Sequence, residues 1–115
     1  MENLMNNVLS DVNDLKDLII SSSEYIEYKN NVNRLEKNNE IKKLINKIKK
    51  LQKEVVRLEI SNNNREVEEK RLSELFDKLN SYDEYKKYIS SSKKLNKLIS
   101  KVQNNFEKYF NSLVS

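Results

Sequence analysis

An all-α chain is what this sequence predicts: an elongated antiparallel helical bundle with long coiled-coil-like helices, completed by dimerisation. Three observations carry that prediction. None of the 115 residues is Gly or Pro, so no position breaks a helix through a fixed φ or a missing N–H. Apolar residues recur with helical period along the chain, and in two stretches with a strict heptad. At 37% hydrophobic and 35% charged residues, the chain can fill only a modest core, which favours sharing one with a second copy.

Leu4, Val8, Leu15, Leu18 and Ile19, with Val12 between, keep to a helical period and predict a first helix over 2–20. Ser21, Ser22 and Ser23 break it and offer a side-chain cap; Ser23 followed by Glu24 suits a helix start. A second helix over 23–37 turns Tyr25, Tyr28, Val32 and Leu35 inward. Asn38 and Asn39 then mark either a cap or a kink.

From Ile41 the spacing tightens. Ile41, Ile48 and Val55 occupy one heptad position, and Leu44, Leu51 and Leu58 the other, so β-branched residues alternate with Leu along a helix over 39–61. Ser61-Asn62-Asn63-Asn64 ends it. A fourth helix over 65–80 carries Val67, Leu72, Leu75, Phe76 and Leu79. The fifth, over 82–113, sets Tyr85, Ser92, Ile99, Phe106 and Leu113 in one row and Tyr88, Leu95, Val102 and Tyr109 in the other. It would be about 45 Å long, more than a compact monomer of this size covers. Intramolecular antiparallel packing and a seam between subunits both satisfy such heptads. The whole chain, 1–115, reads as a single helical domain.

Composition argues against catalysis. Ala, Thr, Cys, His and Trp are missing as well, so there is no imidazole base, no thiolate and no glycine loop for phosphate. No catalytic, cofactor-binding or metal-binding residue is assigned, and an enzyme is not expected. Carboxylates such as Glu66, Glu68 and Glu69 cluster where a helix begins, and there they complement the macrodipole. No apolar run approaches the roughly 20 residues of a membrane span. The acidic, Asn-rich start differs from a secretory signal, so a cytoplasmic location is expected.

Charge alternates in blocks. Residues 1–30 hold two Lys against six acids, and 37–57 hold eight cations against two Glu. Residues 65–84 hold four cations against seven acids, and 85–115 hold seven Lys against Glu107. Opposite blocks favour one antiparallel arrangement over others. Lys43, Lys47 and Lys50 form a candidate basic surface, but the lysines of this helix flank both sides of its apolar seam. With a net charge of only +4, direct nucleic-acid binding is not expected. Candidate core or interface residues are Tyr25, Tyr28, Leu35, Ile41, Leu44, Ile48, Leu51, Val55, Tyr85, Tyr88, Leu95, Ile99, Val102 and Phe106. The two EYxxY stretches, at 24–28 and 84–88, each place two rings on one helix face.

The stretch SEYIEYKNNVNRLEKNNEIKKLINKIKKLQKEV, residues 23–55, resembles the core of the YlbF/YmcA family of small helical bacterial regulators. Tyr25 and Tyr28, Leu35, Asn38-Asn39-Glu40, Leu44-Ile45, Ile48 and Leu51-Gln52 fall in the family's order without a gap. YKKYISSSKKLNKLISKV at 85–102 is similar to its closing helix. Asn39 replaces a usual Pro, Asn31 a usual small Ala and Ile48 a usual aromatic; the missing Gly, Ala and Pro suit an AT-rich coding sequence. The resemblance implies a non-enzymatic cytosolic adaptor, a homo-oligomer or a hetero-oligomer with a paralogue. Its protein partner would belong to a complex that influences ribonuclease Y-dependent RNA processing. Iron–sulfur clusters associated with some members do not carry over, because this chain has no cysteine. The alternatives are a structural coiled-coil scaffold module and a weak RNA-binding protein using the basic helices.

Overall fold

Residues 2–114 are described by a computed structural model, the side chains of Glu2 and Leu4 excepted. Among them lie five α-helices and no strand: α1 Glu2–Ser21, α2 Ser23–Lys37, α3 Asn39–Ile60, α4 Glu66–Asn80 and α5 Asp83–Val114. The residues gather into two compact units, one of Asn31–Ile89 and one of Met1–Asn30 with Ser90–Ser115. They are called here the central and the terminal unit.

The central unit is organised by the heptads of α3. Ile41, Leu44 and Ile48 are buried, Ile41 completely, and with Leu35 of α2 and Leu79 of α4 they form the core. Leu72, Leu75 and Phe76 of α4 and Tyr82, Tyr85 and Tyr88 pack against it. Leu51 and Val55, later in the same rows, are half-buried, and Leu58 is buried. The heptad spacing is therefore used within one chain, between α3 and its sequence neighbours.

Local chemistry sets each helix end. Asn38 is extended (φ −94°, ψ 103°), and its side chain accepts from the Ile41 N–H at 3.1 Å, which makes the Asn-Asn step a cap and not a kink. The Asn38 amide also donates to Glu84 at 3.2 Å, so the same side chain ties the start of α3 to the start of α5. At the far end of α3 the Asn62 N–H donates to the Glu59 carbonyl and the Asn63 N–H to the Leu58 carbonyl. That pairing is a Schellman motif with Asn62, at φ 58°, in the left-handed position usually held by Gly. Next, the Asn64 side chain accepts from the Glu66 N–H at 3.0 Å and launches α4.

The terminal unit is thinner. Val8, Asp11, Leu15 and Ile19 recur at i, i+3, i+7 and i+11 along the half-buried face of α1. Among the described residues of this unit, Ser91 and Leu95 on α5 are buried. Tyr25, Tyr28, Ile99, Val102, Phe106 and Tyr109 are half-buried. Tyr109 donates to Asp11 at 2.6 Å, and Phe106 lies 6.3 Å from the Tyr109 ring and 6.4 Å from Phe110.

Within the helices as expected, the structure adds which cap acts and which periodic apolar residues stay exposed. The cap of α2 is Ser22, whose hydroxyl accepts from the Tyr25 N–H at 3.1 Å, one residue before Ser23. Leu18 and Val12 are exposed, because the packed face of α1 is centred on Val8, Leu15 and Ile19. Val67 is exposed: it precedes the turn of α4 at which Leu72 first packs on the core. Leu113 is exposed near the end of α5. Leu4, of the α1 periodic set, has its side chain outside the described part of the structure.

Candidate interaction surfaces

Two features could carry recognition, one in each unit. The terminal unit, built from α1, the first part of α2 and α5 from Ser90 onward, leaves many large apolar side chains in solvent. Met5, Leu9, Val12, Leu18 and Ile20 of α1, Ile26 of α2, and Phe110, Leu113 and Val114 of α5 are all exposed. In the central unit the exposed large hydrophobics are Val56, Ile60 and Val67, near the α3–α4 turn. Nine of the twelve exposed large hydrophobics among the described residues thus fall in the terminal unit, where the buried described residues are Ser91 and Leu95.

On α1 the exposed Met5, Leu9, Val12 and Ile20 recur at i, i+4, i+7 and i+15, a stripe adjoining the face that bears Val8 and Leu15. A cavity of about 260 Å³ between α1 and α5 is lined by Asp11, Asp14, Leu15, Asn105, Phe106 and Tyr109. The aspartates at its edge keep it from being purely apolar. Lys94 approaches Glu27 at 3.9 Å, an exposed pair of little energetic weight.

In the central unit α3 and α4 form a groove with two adjacent cavities, each of about 280 Å³. The first is lined by Glu40, Lys43, Leu44, Lys47, Lys78 and Tyr82. The second is lined by Lys47, Lys50, Leu51, Glu54, Arg71 and Leu75. Lys43, Lys47 and Lys50 thus line one edge, as their spacing at i, i+4 and i+7 requires. Lys42, Lys49 and Lys53 lie elsewhere on the helix and line neither cavity. Sequence reasoning missed Arg71 and Lys78, the cations that α4 brings to the opposite edge. They sit in a block whose net charge is acidic, so only the pairing of α3 with α4 reveals them.

Both groove carboxylates already have partners. Glu54 takes a two-point contact from Arg57, which holds its carboxyl below the usual range and raises the guanidinium; the hydrogen bond is the chief cause for each. Glu40 accepts from the Tyr82 hydroxyl at 3.3 Å. The Tyr82 phenol is pushed up, first by burial and then by the charge of Glu40. Among the described residues no carboxylate lies within ion-pair distance of Lys43, Lys47, Lys50, Arg71 or Lys78.

The candidate core residues divide between the units. Leu35, Ile41, Leu44, Ile48, Leu51, Val55, Tyr85 and Tyr88 fall in the central one, and Tyr25, Tyr28, Leu95, Ile99, Val102 and Phe106 in the terminal one. All are buried or half-buried. No described helix is long and apolar enough to cross a membrane.

Residues 8–109 match the family model described as control of competence regulator ComK, YlbF/YmcA. Searches among curated proteins and among solved structures return no significant match.

Proposed function

The chain belongs to the YlbF/YmcA family, and from that premise we propose that it is a non-enzymatic cytosolic adaptor that self-associates and binds a partner protein. Its family description concerns the control of a regulator, and a regulatory role follows from membership. Within that role the partner is a member of a complex acting on ribonuclease Y-dependent RNA processing. A sequence without His or Cys suits a protein that works by binding rather than turnover.

The observation that carries self-association is the exposed apolar surface of the terminal unit. Three helical segments meet in this unit, and among its described residues Ser91 and Leu95 are the buried ones, so most of its apolar side chains lack cover. Pairing the unit with its copy in a second chain would cover Leu9, Val12 and Phe110 and give a helical bundle with an enclosed interior. Symmetry makes such a contact self-complementary.

Sedimentation equilibrium of the full chain at micromolar concentration tests this. The expected mass is twice the 13.7 kDa of one chain, with Leu9→Glu and Phe110→Glu each shifting it toward the monomer. A wild-type monomer would remove self-association from the reading. Affinity capture that returned neither a paralogue nor an RNA-processing factor would count against the named complex.

A further inference from the structure

We propose that the groove between α3 and α4 is the docking site for an acidic, amphipathic helical segment of a partner protein. This rests on reading the chain as an adaptor and gives the partner a chemistry. Charge complementarity carries the argument. Five cations line the two cavities, three from α3 and two from α4, against two carboxylates. Arg57 already holds Glu54, and Tyr82 donates to Glu40, whereas the five cations have no ion-pair partner among the described residues. Glu74, on α4 between Arg71 and Lys78, lines neither cavity.

Spacing and floor favour a helix as the occupant. Lys43, Lys47 and Lys50 step along α3 by about 6 Å and then about 4.5 Å, the intervals at which acids at i, i+4 and i+7 recur on a partner helix. Between the charged edges Leu51 and Leu75 remain half-buried at the groove, open to apolar side chains laid between those acids. Helix-in-groove recognition needs both parts. A single-stranded nucleic acid would instead call for a run of stacking aromatics. Tyr82 is the aromatic residue lining these cavities, and its hydroxyl is engaged by Glu40.

The test uses the full chain and a fluorescein-labelled peptide of about 20 residues, long enough to hold a helix, with Glu at i, i+4 and i+7 flanking Leu. Fluorescence anisotropy is expected to show saturable binding at micromolar concentration that weakens about tenfold in Lys47→Glu, which touches both cavities, and in Arg71→Glu on the other edge. Lys49→Glu carries the same change in net charge but lines neither cavity, so it should stay within about twofold of wild type. Thermal melts identify any variant that has lost its fold, and the two groove variants lie on different helices. Absence of saturable binding, or equal weakening by Lys47→Glu and Lys49→Glu, would overturn the proposal. So would tighter binding of a mixed-sequence single-stranded RNA with the same dependence on Lys47. The wild-type mass in solution is read separately, so a groove that fails beside intact self-association counts against the groove alone.

Discussion

The phenol of Tyr109 donates to Asp11 at 2.6 Å and fastens α5 to α1 within the terminal unit. That bond is the main reason the Tyr109 proton is held more tightly than in an ordinary tyrosine, with burial and the charge of Asp11 adding to it. A phenol pKa raised on folding stabilises the fold fully below the unfolded value of about 10, and the contribution is lost as pH rises through the folded value. Tyr109→Phe should therefore lower the urea midpoint by a constant amount from neutral pH to about pH 9, with the two proteins converging above it. A gap that persists unchanged at high pH would show that the hydroxyl acts otherwise than through this proton.

Asn31 donates to the Lys87 carbonyl at 3.3 Å while only 5% exposed, linking α2 to α5 inside the central unit. The carbonyl lies within α5, where the N–H four residues on also donates to it, so losing the amide does not strand the carbonyl. Asn31→Ala should cost about 1–2 kcal/mol, part of it offset by the better helix propensity of Ala. Asn31→Asp should cost several times more, since it turns a buried carboxylate toward a carbonyl oxygen. Denaturant titrations of the two variants at pH 7 check the order, and an equal loss would contradict it.

Helix ends were legible because Ser, Asn and acidic residues announce caps chemically. Ser22, Asn38 and Asn62 all act in stretches where the sequence signals a break. The α3 heptad likewise predicted the buried Ile41, Leu44 and Ile48. Burial along α1 and early α4 was less legible, because an apolar residue with helical period does not reveal whether an opposing helix reaches it. Leu18 and Val67 have the right spacing and no cover. The groove was half legible: Lys43, Lys47 and Lys50 share an edge by spacing, but Arg71 and Lys78 join them only through tertiary pairing.

That difference between Ile41 and Val67 is measurable. Ile41 is fully buried in the central core, so Ile41→Ala removes packed methyl groups and leaves a cavity. A loss of about 2–5 kcal/mol is expected. Val67 is 76% exposed, and Val67→Ala should change stability by no more than about 0.5 kcal/mol. Chemical denaturation of both variants decides it; a large loss at Val67 would mean that another surface covers it in solution.

Asn62 provides a test of how a chain without glycine closes a helix. Its φ of 58° lies where a Cβ normally costs about 1–2 kcal/mol, and Asn tolerates it better than most residues. The motif's two backbone bonds, from Asn62 to Glu59 and from Asn63 to Leu58, do not use the Asn62 side chain. Asn62→Gly should keep both bonds and relieve the Cβ, raising the melting temperature by a few degrees at most because Gly also gains freedom in the unfolded chain. Asn62→Val should lower it, since a β-branched residue fits the left-handed region worst. A thermal melt series Gly, Asn, Ala, Val in descending stability is the expected outcome. Were Val as stable as Asn, α3 would not be ending through this left-handed turn.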